Sequence, residues 1–155
     1  MPNPLFQSLG TLTEPVLIFG GPYSNLQATR ALLSRSSDLG IKPDHILCTG
    51  DVVAYAGDPA QTTDAVIQSG MRVLMGNCEE SFGYDEDDCG CGFDEGSACD
   101  VLSRQWYGHA NTELAPEHRA WMRNLPRTLR FEMAGLYVSH LKPKGARQIA
   151  HPGPM

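Results

Sequence analysis

The sequence predicts an α/β domain with a largely parallel βαβαβ core. Three observations carry that prediction: short strand-like runs at Val16–Phe19, His45–Cys48 and Arg72–Met75, helical periodicity between them, and a glycine-containing turn after each run. Val16, Leu17, Ile18 and Phe19 form a continuous apolar run of the kind buried on both faces, stopped by Gly20-Gly21-Pro22. Asn25 suits a helix N-cap, and Leu26, Thr29 and Leu33 recur at helical spacing toward Ser36, with Gly40 beyond as a stop. His45-Ile46-Leu47-Cys48 then runs into Thr49-Gly50-Asp51, and Pro59–Ser69 reads as a second helix opened by Asp58 and closed by Gly70. Arg72–Met75 is the third strand, ending at Gly76-Asn77.

Downstream, residues 83–96 are rich in Gly, Asp, Glu and Cys without periodicity and predict a long loop. Helices are expected over Ser97–Ala110 and Pro116–Asn124, followed by a hairpin of Thr128–Met133 and Leu136–Ser139 through Ala134-Gly135. Residues 1–14 hold two prolines and no sustained period, so they read as a leader. The domain is expected over 15–140, and 141–155 reads as an irregular tail.

Composition bounds the function. The chain of 155 residues, 41% hydrophobic and 19% charged, can bury one ordinary core. A formal charge of -6 without Lys/Arg clusters offers no footprint for nucleic acid or an anionic membrane. No apolar run approaches the roughly 20 residues of a membrane helix, so a cytoplasmic protein is expected. Five cysteines crowd largely between Cys78 and Cys99, which in a reducing compartment suggests metal, reactive-thiol or local structural roles ahead of disulfides.

In a parallel sheet, ligands gather at the carboxyl ends of the strands. Those ends carry Gly20-Gly21-Pro22-Tyr23-Ser24-Asn25, Gly50-Asp51-Val52-Val53-Ala54-Tyr55 and Gly76-Asn77-Cys78-Glu79-Glu80. In order and spacing these blocks resemble those of the calcineurin-like metallophosphoesterases, in particular their small bacterial branch. The resemblance runs from about Val16 to His140. It implies a metallophosphoesterase-like core and hydrolysis of a phosphomonoester or phosphodiester at a pair of divalent metals (manganese, iron, zinc or magnesium). Hard oxygen and imidazole ligands suit such ions, and a metal-bound hydroxide serves as nucleophile.

Carried over by position, Asp51 is the bridging carboxylate and Asn77 a neutral oxygen ligand. Cys78 stands where a histidine would assist the leaving group, as it commonly does in the small branch, and Glu79 with Glu80 keeps the acidic character. His140 resembles the first histidine of the late metal-binding blocks, although Leu141 follows where glycine is usual. The first block departs most. Gly21 stands in place of a metal-binding Asp, Tyr23 in place of a metal-binding His, and Ser24 in place of a glycine. A phenol with an ordinary pKa near 10 is a poor ligand at neutral pH, so Tyr23 is at best an accessory donor. No Gly-x-His block follows His140. The expected domain is therefore incomplete at its C-terminal side, with an incomplete second sheet, through shortening or a changed reading frame after about Gly135. A metal set reduced to Asp51, Asn77 and His140 and weak or lost hydrolysis are the expectations.

Two alternatives stay open. The same fold could act as a non-catalytic binding or scaffold protein, and a sheet edge left exposed could pair copies of the chain. Alternatively Cys78, Cys89, Cys91 and Cys99 could form a zinc or redox module, although the Cys89-Gly90-Cys91 spacing is not that of a zinc ribbon. The acidic run Asp85–Asp88 reads as a solvated loop, His109 and His118 as surface or capping residues, and Trp106, Tyr107 and Trp121 as core.

Overall fold

The computed structural model of the chain describes residues 6–141, and side chains as far as residue 135. Its elements run β1 (Phe6–Thr11), β2 (Leu17–Phe19), α1 (Leu26–Asp38), β3 (Ile46–Cys48), α2 (Pro59–Ser69), β4 (Arg72–Val73), α3 (Asn77–Gly83), α4 (Ala98–Glu113), α5 (Pro116–Arg123), β5 (Thr128–Met133) and β6 (Leu136–Leu141). A single 3₁₀ turn, Pro43–His45, leads into β3. Among the described residues no helix is long and apolar enough to cross a membrane.

The predicted βαβαβ unit is present as a parallel sheet in the order β2-β3-β4, with Leu17 opposite Ile46 and Cys48 opposite Val73. Asn25 caps α1 as expected, its side chain accepting from the Ala28 N–H at 2.9 Å. Gly70 ends α2 in the left-handed conformation that glycine adopts without a Cβ clash. β4 is shorter than the Arg72–Met75 run: Leu74 N–H still reaches the Cys48 carbonyl, but Met75 N–H turns to Pro126.

A second sheet has the order β1-β5-β6, with β5 and β6 forming the expected antiparallel hairpin. Its third member corrects the reading of 1–14 as a leader, because Phe6–Thr11 pairs in parallel with β5. A left-handed Gly10 accompanies a register break between Ser8 and Thr11, which hides the alternation a strand would show. The partner strand is also more than a hundred residues away, beyond any local pattern.

Two apolar clusters join the layers. Leu47 and Leu74 from one sheet meet Leu129 and Phe131 from the other, with Leu9, Leu12, Val16 and Met133 at the margin. On the opposite face Ile46, Cys48 and Val73 meet Val66 of α2, Phe82 of α3, Trp106, Tyr107 and Ala110 of α4, and Met122 of α5. β3 therefore buries side chains on both faces, which explains its unbroken apolar run. Trp106 and Tyr107 are core, and Trp121 packs partly buried against the same cluster.

Candidate functional site at the strand ends

Turns following β2, β3 and β4 meet at one end of the parallel sheet. The first two are joined by backbone hydrogen bonds from Gly21 N–H to Gly50, Tyr23 N–H to Asp51 and Ser24 N–H to Val52, at 3.2, 3.2 and 2.8 Å. Ser24, which stands where the resemblance has a glycine, is buried and accepts the Ala54 N–H on its hydroxyl at 3.2 Å. Sequence inspection missed this clasp because its partner lies 30 residues away.

The second turn approaches the third so closely that side chains are excluded. A Cβ on Gly50, whose φ is +100°, would lie 2.6 Å from Gly76 N and 2.8 Å from the Leu74 carbonyl. Gly76 is restricted in turn, since a Cβ there would overlap Asp51 Oδ1 and come within 2.7 Å of Glu79 Oε2. Both glycines of the Gly-Asp and Gly-Asn blocks are thus required by close approach.

Four non-glycine residues here have positive φ: Tyr23, Ser24, Asp51 and Tyr55 at +52, +55, +58 and +50°. Each costs on the order of 1 kcal/mol relative to ordinary backbone, so surrounding bonds must offset several kcal/mol. Glu79 supplies the main offset. Its carboxylate is fully buried and accepts from Asp51 N–H at 2.7 Å, Val52 N–H at 2.7 Å and Gly76 N–H at 2.8 Å, tying the second turn to the third. Burial and then the Asp51 carboxylate push its pKa up to about 7 against the pull of those three N–H donors. Glu79 is accordingly a positioning residue for Asp51.

Asp51 leaves this turn with Oδ1 receiving the Cys78 N–H at 3.4 Å. Asn77 and Cys78 open α3, and the Asn77 amide donates to the Cys89 carbonyl at 2.9 Å, with Cys91 Sγ at 3.6 Å and Cys78 Sγ at 3.7 Å. Asp51, Asn77, Cys78 and Glu79 are thus brought together at the strand ends. His140 stands in β6 opposite Leu129, in the other sheet, and its side chain lies outside the described residues.

Tyr23 fills the first block in a way the sequence did not disclose. Gly21 has φ +37°, and a Cβ there would fall inside the Tyr23 ring, so the glycine and the tyrosine are one packing unit. The ring is 41% exposed and sits 5.1 Å from Tyr55, which in turn meets buried Trp106 edge-on at 5.3 Å. Burial, followed by the nearby ionisable groups of Cys78, Tyr23, Asp51 and Cys99, raises the Tyr55 pKa.

Cysteine chemistry differs from the reading that put thiols ahead of disulfides. Cys89 and Cys91 are bonded to each other, the left-handed Gly90 between them bringing their Cα atoms to 5.3 Å. Cys78 is a buried thiol and Cys99 an exposed one. With two sulfurs joined, Cys89, Cys91 and Cys99 are not a set of three thiolates. Among the described residues no three His, Cys, Asp or Glu side chains are grouped to hold an ion. The Tyr23 ring lies where a side chain on residue 21 would project, the position at which the resemblance calls for a metal-binding Asp.

His109 is exposed with Nε2 3.1 Å from the Gly57 carbonyl. His118 is a buried cap: Nδ1 accepts the Ala115 N–H at 3.1 Å, which leaves the proton on Nε2 to donate to Asp64 at 2.9 Å. Asp85 pairs with Arg119 at 3.1 Å on an otherwise exposed acidic loop.

No family model matches the sequence, and no curated protein does. Among solved structures, a metallophosphoesterase from Sphaerobacter thermophilus superposes with a TM-score of 0.53 at 21% identity, over 81% of this chain. The chain spans 46% of the length of that protein. The α/β architecture of this chain, with parallel strands in two small sheets, is therefore metallophosphoesterase-like.

Proposed function

We propose that this chain is a metallophosphoesterase-related protein in which hydrolysis of phosphate esters is weak or lost, while the strand-end turns are retained as a binding surface. The observation that carries the proposal is the Tyr23 ring seated on Gly21, where the resemblance calls for the side chain of a metal-binding Asp. An Asp at 21 would have to turn that ring away and break its contact with Tyr55. The remaining expected donors, Asp51, Asn77 and His140, are too few for two ions each holding several hard ligands. Asp51 is still presented by a left-handed turn that Glu79 holds in place, so the backbone of the site has outlived its donor set.

The test is elemental analysis of protein incubated with manganese, iron or zinc and desalted, alongside turnover of p-nitrophenyl phosphate and bis-p-nitrophenyl phosphate. Substoichiometric metal and turnover indistinguishable from Asp51→Ala support the reading. Two tightly held ions with turnover abolished by Asp51→Ala would refute it. The double variant Gly21→Asp, Tyr23→His asks whether the lost donors are the cause. Gain of metal by that variant is the expected outcome, and turnover would follow if His140 completes the set.

A non-catalytic role is favoured by Tyr23, whose backbone N–H bonds the Asp51 carbonyl, and its ring neighbour Tyr55, which expose 41% and 58% of their surface. The natural ligand class is a phosphate-ester small molecule carrying an aromatic ring, because exposed tyrosines stack on such rings. Quenching of intrinsic fluorescence by adenosine monophosphate, lost in Tyr23→Ala and Tyr55→Ala, tests it.

A further inference from the structure

We propose that Cys89–Cys91 is a redox-active disulfide, opened by a dithiol reductant, that acts as a clasp on Asn77 at the first turn of α3. The inference stands apart from hydrolysis and holds whether or not the site turns over phosphate esters.

Its basis is the placement of two sulfurs and the Cys89 carbonyl around one amide. Asn77 Nδ2 donates to the Cys89 carbonyl at 2.9 Å and lies 3.6 Å from Cys91 Sγ and 3.7 Å from Cys78 Sγ. Gly90 sits on the same spot, where a Cβ would be 3.2 Å from Ser81 Oγ and 3.8 Å from Asn77 Cβ. The bonded tripeptide is thus laid across the first turn of α3. The rest of the segment between α3 and α4 is held to the body by the Asp85–Arg119 ion pair at 3.1 Å and by bonds at Glu86. Glu86 N–H reaches the Ser81 carbonyl at 2.9 Å, and the Tyr107 hydroxyl donates to the Glu86 carbonyl at 2.8 Å. Residues 92–96 are all exposed.

A purely stabilising role for the bond is the weaker explanation. With one residue between the cysteines, the cross-link closes so small a loop that it removes little freedom from the unfolded chain. Access instead suits exchange. Cys91 is half-exposed while Cys89 is buried, so a reductant thiolate meets Cys91 Sγ first. Attack there breaks the Sγ–Sγ bond, forms a mixed disulfide at Cys91 and releases Cys89 as thiolate. The reductant's second thiol then attacks its own sulfur in the mixed disulfide, releasing Cys91. Two electrons pass to the protein, Cys89 and Cys91 each end as thiols, and the reductant leaves as its disulfide. The Cys89 sulfur has room to separate, since its residue lines a cavity of about 260 Å³ shared with Asp88, Ser103 and Tyr107.

Two measurements on the full chain test this. Alkylation mapping by mass spectrometry, before and after dithiothreitol, should label Cys89 and Cys91 only after reduction and with a half-point within reach of millimolar dithiol. Hydrogen–deuterium exchange of the peptide covering 77–83 should then rise several-fold on reduction. The double variant Cys89→Ser, Cys91→Ser should show the faster exchange with or without dithiothreitol, and Cys99→Ser should behave as wild type. Labelling of both cysteines without reductant would overturn the proposal, as would a bond that resists dithiothreitol in the folded protein. Unchanged exchange over 77–83 after complete reduction would overturn the clasp. None of these outcomes depends on metal content or ester turnover.

Discussion

Glu79→Gln separates two opposing influences on the most buried carboxyl of the site. The glutamate bonds three backbone N–H groups, with Oε2 serving Asp51 and Gly76 and Oε1 serving Val52. Glutamine can leave its oxygen with the first two, but its NH₂ then faces the Val52 N–H, and an orphaned buried donor costs about 1–3 kcal/mol. Against this, burial and Asp51 push the Glu79 pKa up to about 7 from an ordinary 4.5. Because the folded state holds the proton more tightly than the unfolded one, the stability this group contributes is full below about pH 4.5. It declines as pH rises and is gone once pH has passed about 7; a displacement of this size corresponds to roughly 3 kcal/mol. Glutamine does not titrate, so every other group cancels in the difference between the two proteins. Urea unfolding followed by circular dichroism should find Glu79→Gln less stable by about 1–3 kcal/mol at pH 5, with the gap closing or reversing by pH 8. Glu79→Ala, which leaves all three donors without an acceptor, should cost roughly 3–5 kcal/mol. A Glu79→Gln deficit that widens from pH 5 to pH 8 would refute the argument, since it would mean that the three N–H donors outweigh burial and hold the carboxyl ionised.

Two further substitutions probe the same frame. Gly50→Ala places a Cβ against backbone atoms of Gly76 and Leu74 at a φ of +100°, and since backbone cannot yield as a side chain can, a loss of at least about 3 kcal/mol is expected. Thermal unfolding of that variant within a degree or two of wild type would show that the turns separate easily. His118→Ala removes both the cap on Ala115 and the bond to Asp64 that ties α5 to α2, for an expected loss of about 1–3 kcal/mol. His118→Phe should recover none of it, and recovery would mean that ring packing, not the two hydrogen bonds, holds the histidine.

What the sequence disclosed follows from the range over which its signals act. The βαβαβ unit was legible because β3 is buried on both faces and each helix carries a local stop or cap, such as Asn25 and Gly70. β1 was illegible because its partner is β5 and its alternation is broken at Gly10. The same division runs through the site. Asp51 and Asn77 stand out as residues that follow glycines at strand ends, and the close approach of Gly50 to Gly76 explains why those glycines are there. Ser24, Glu79 and the Gly21–Tyr23 pair work across the turns, through bonds and contacts that no spacing rule encodes. Read one residue at a time, Gly21, Tyr23 and Ser24 are three independent losses from a metal-binding block. In three dimensions they are complementary: the glycine makes room for the ring, the ring packs on Tyr55, and the serine hydroxyl joins the turn to Ala54. Left-handed backbone at Tyr23 and Ser24 is costly, and the Gly21–Tyr23 packing, the Tyr23–Tyr55 contact and the Ser24 hydroxyl are what hold that turn in place. Because the proposed binding surface uses the exposed pair that this turn presents, ligand binding by Tyr23 and Tyr55 is a sharper question to put to this protein than residual hydrolysis.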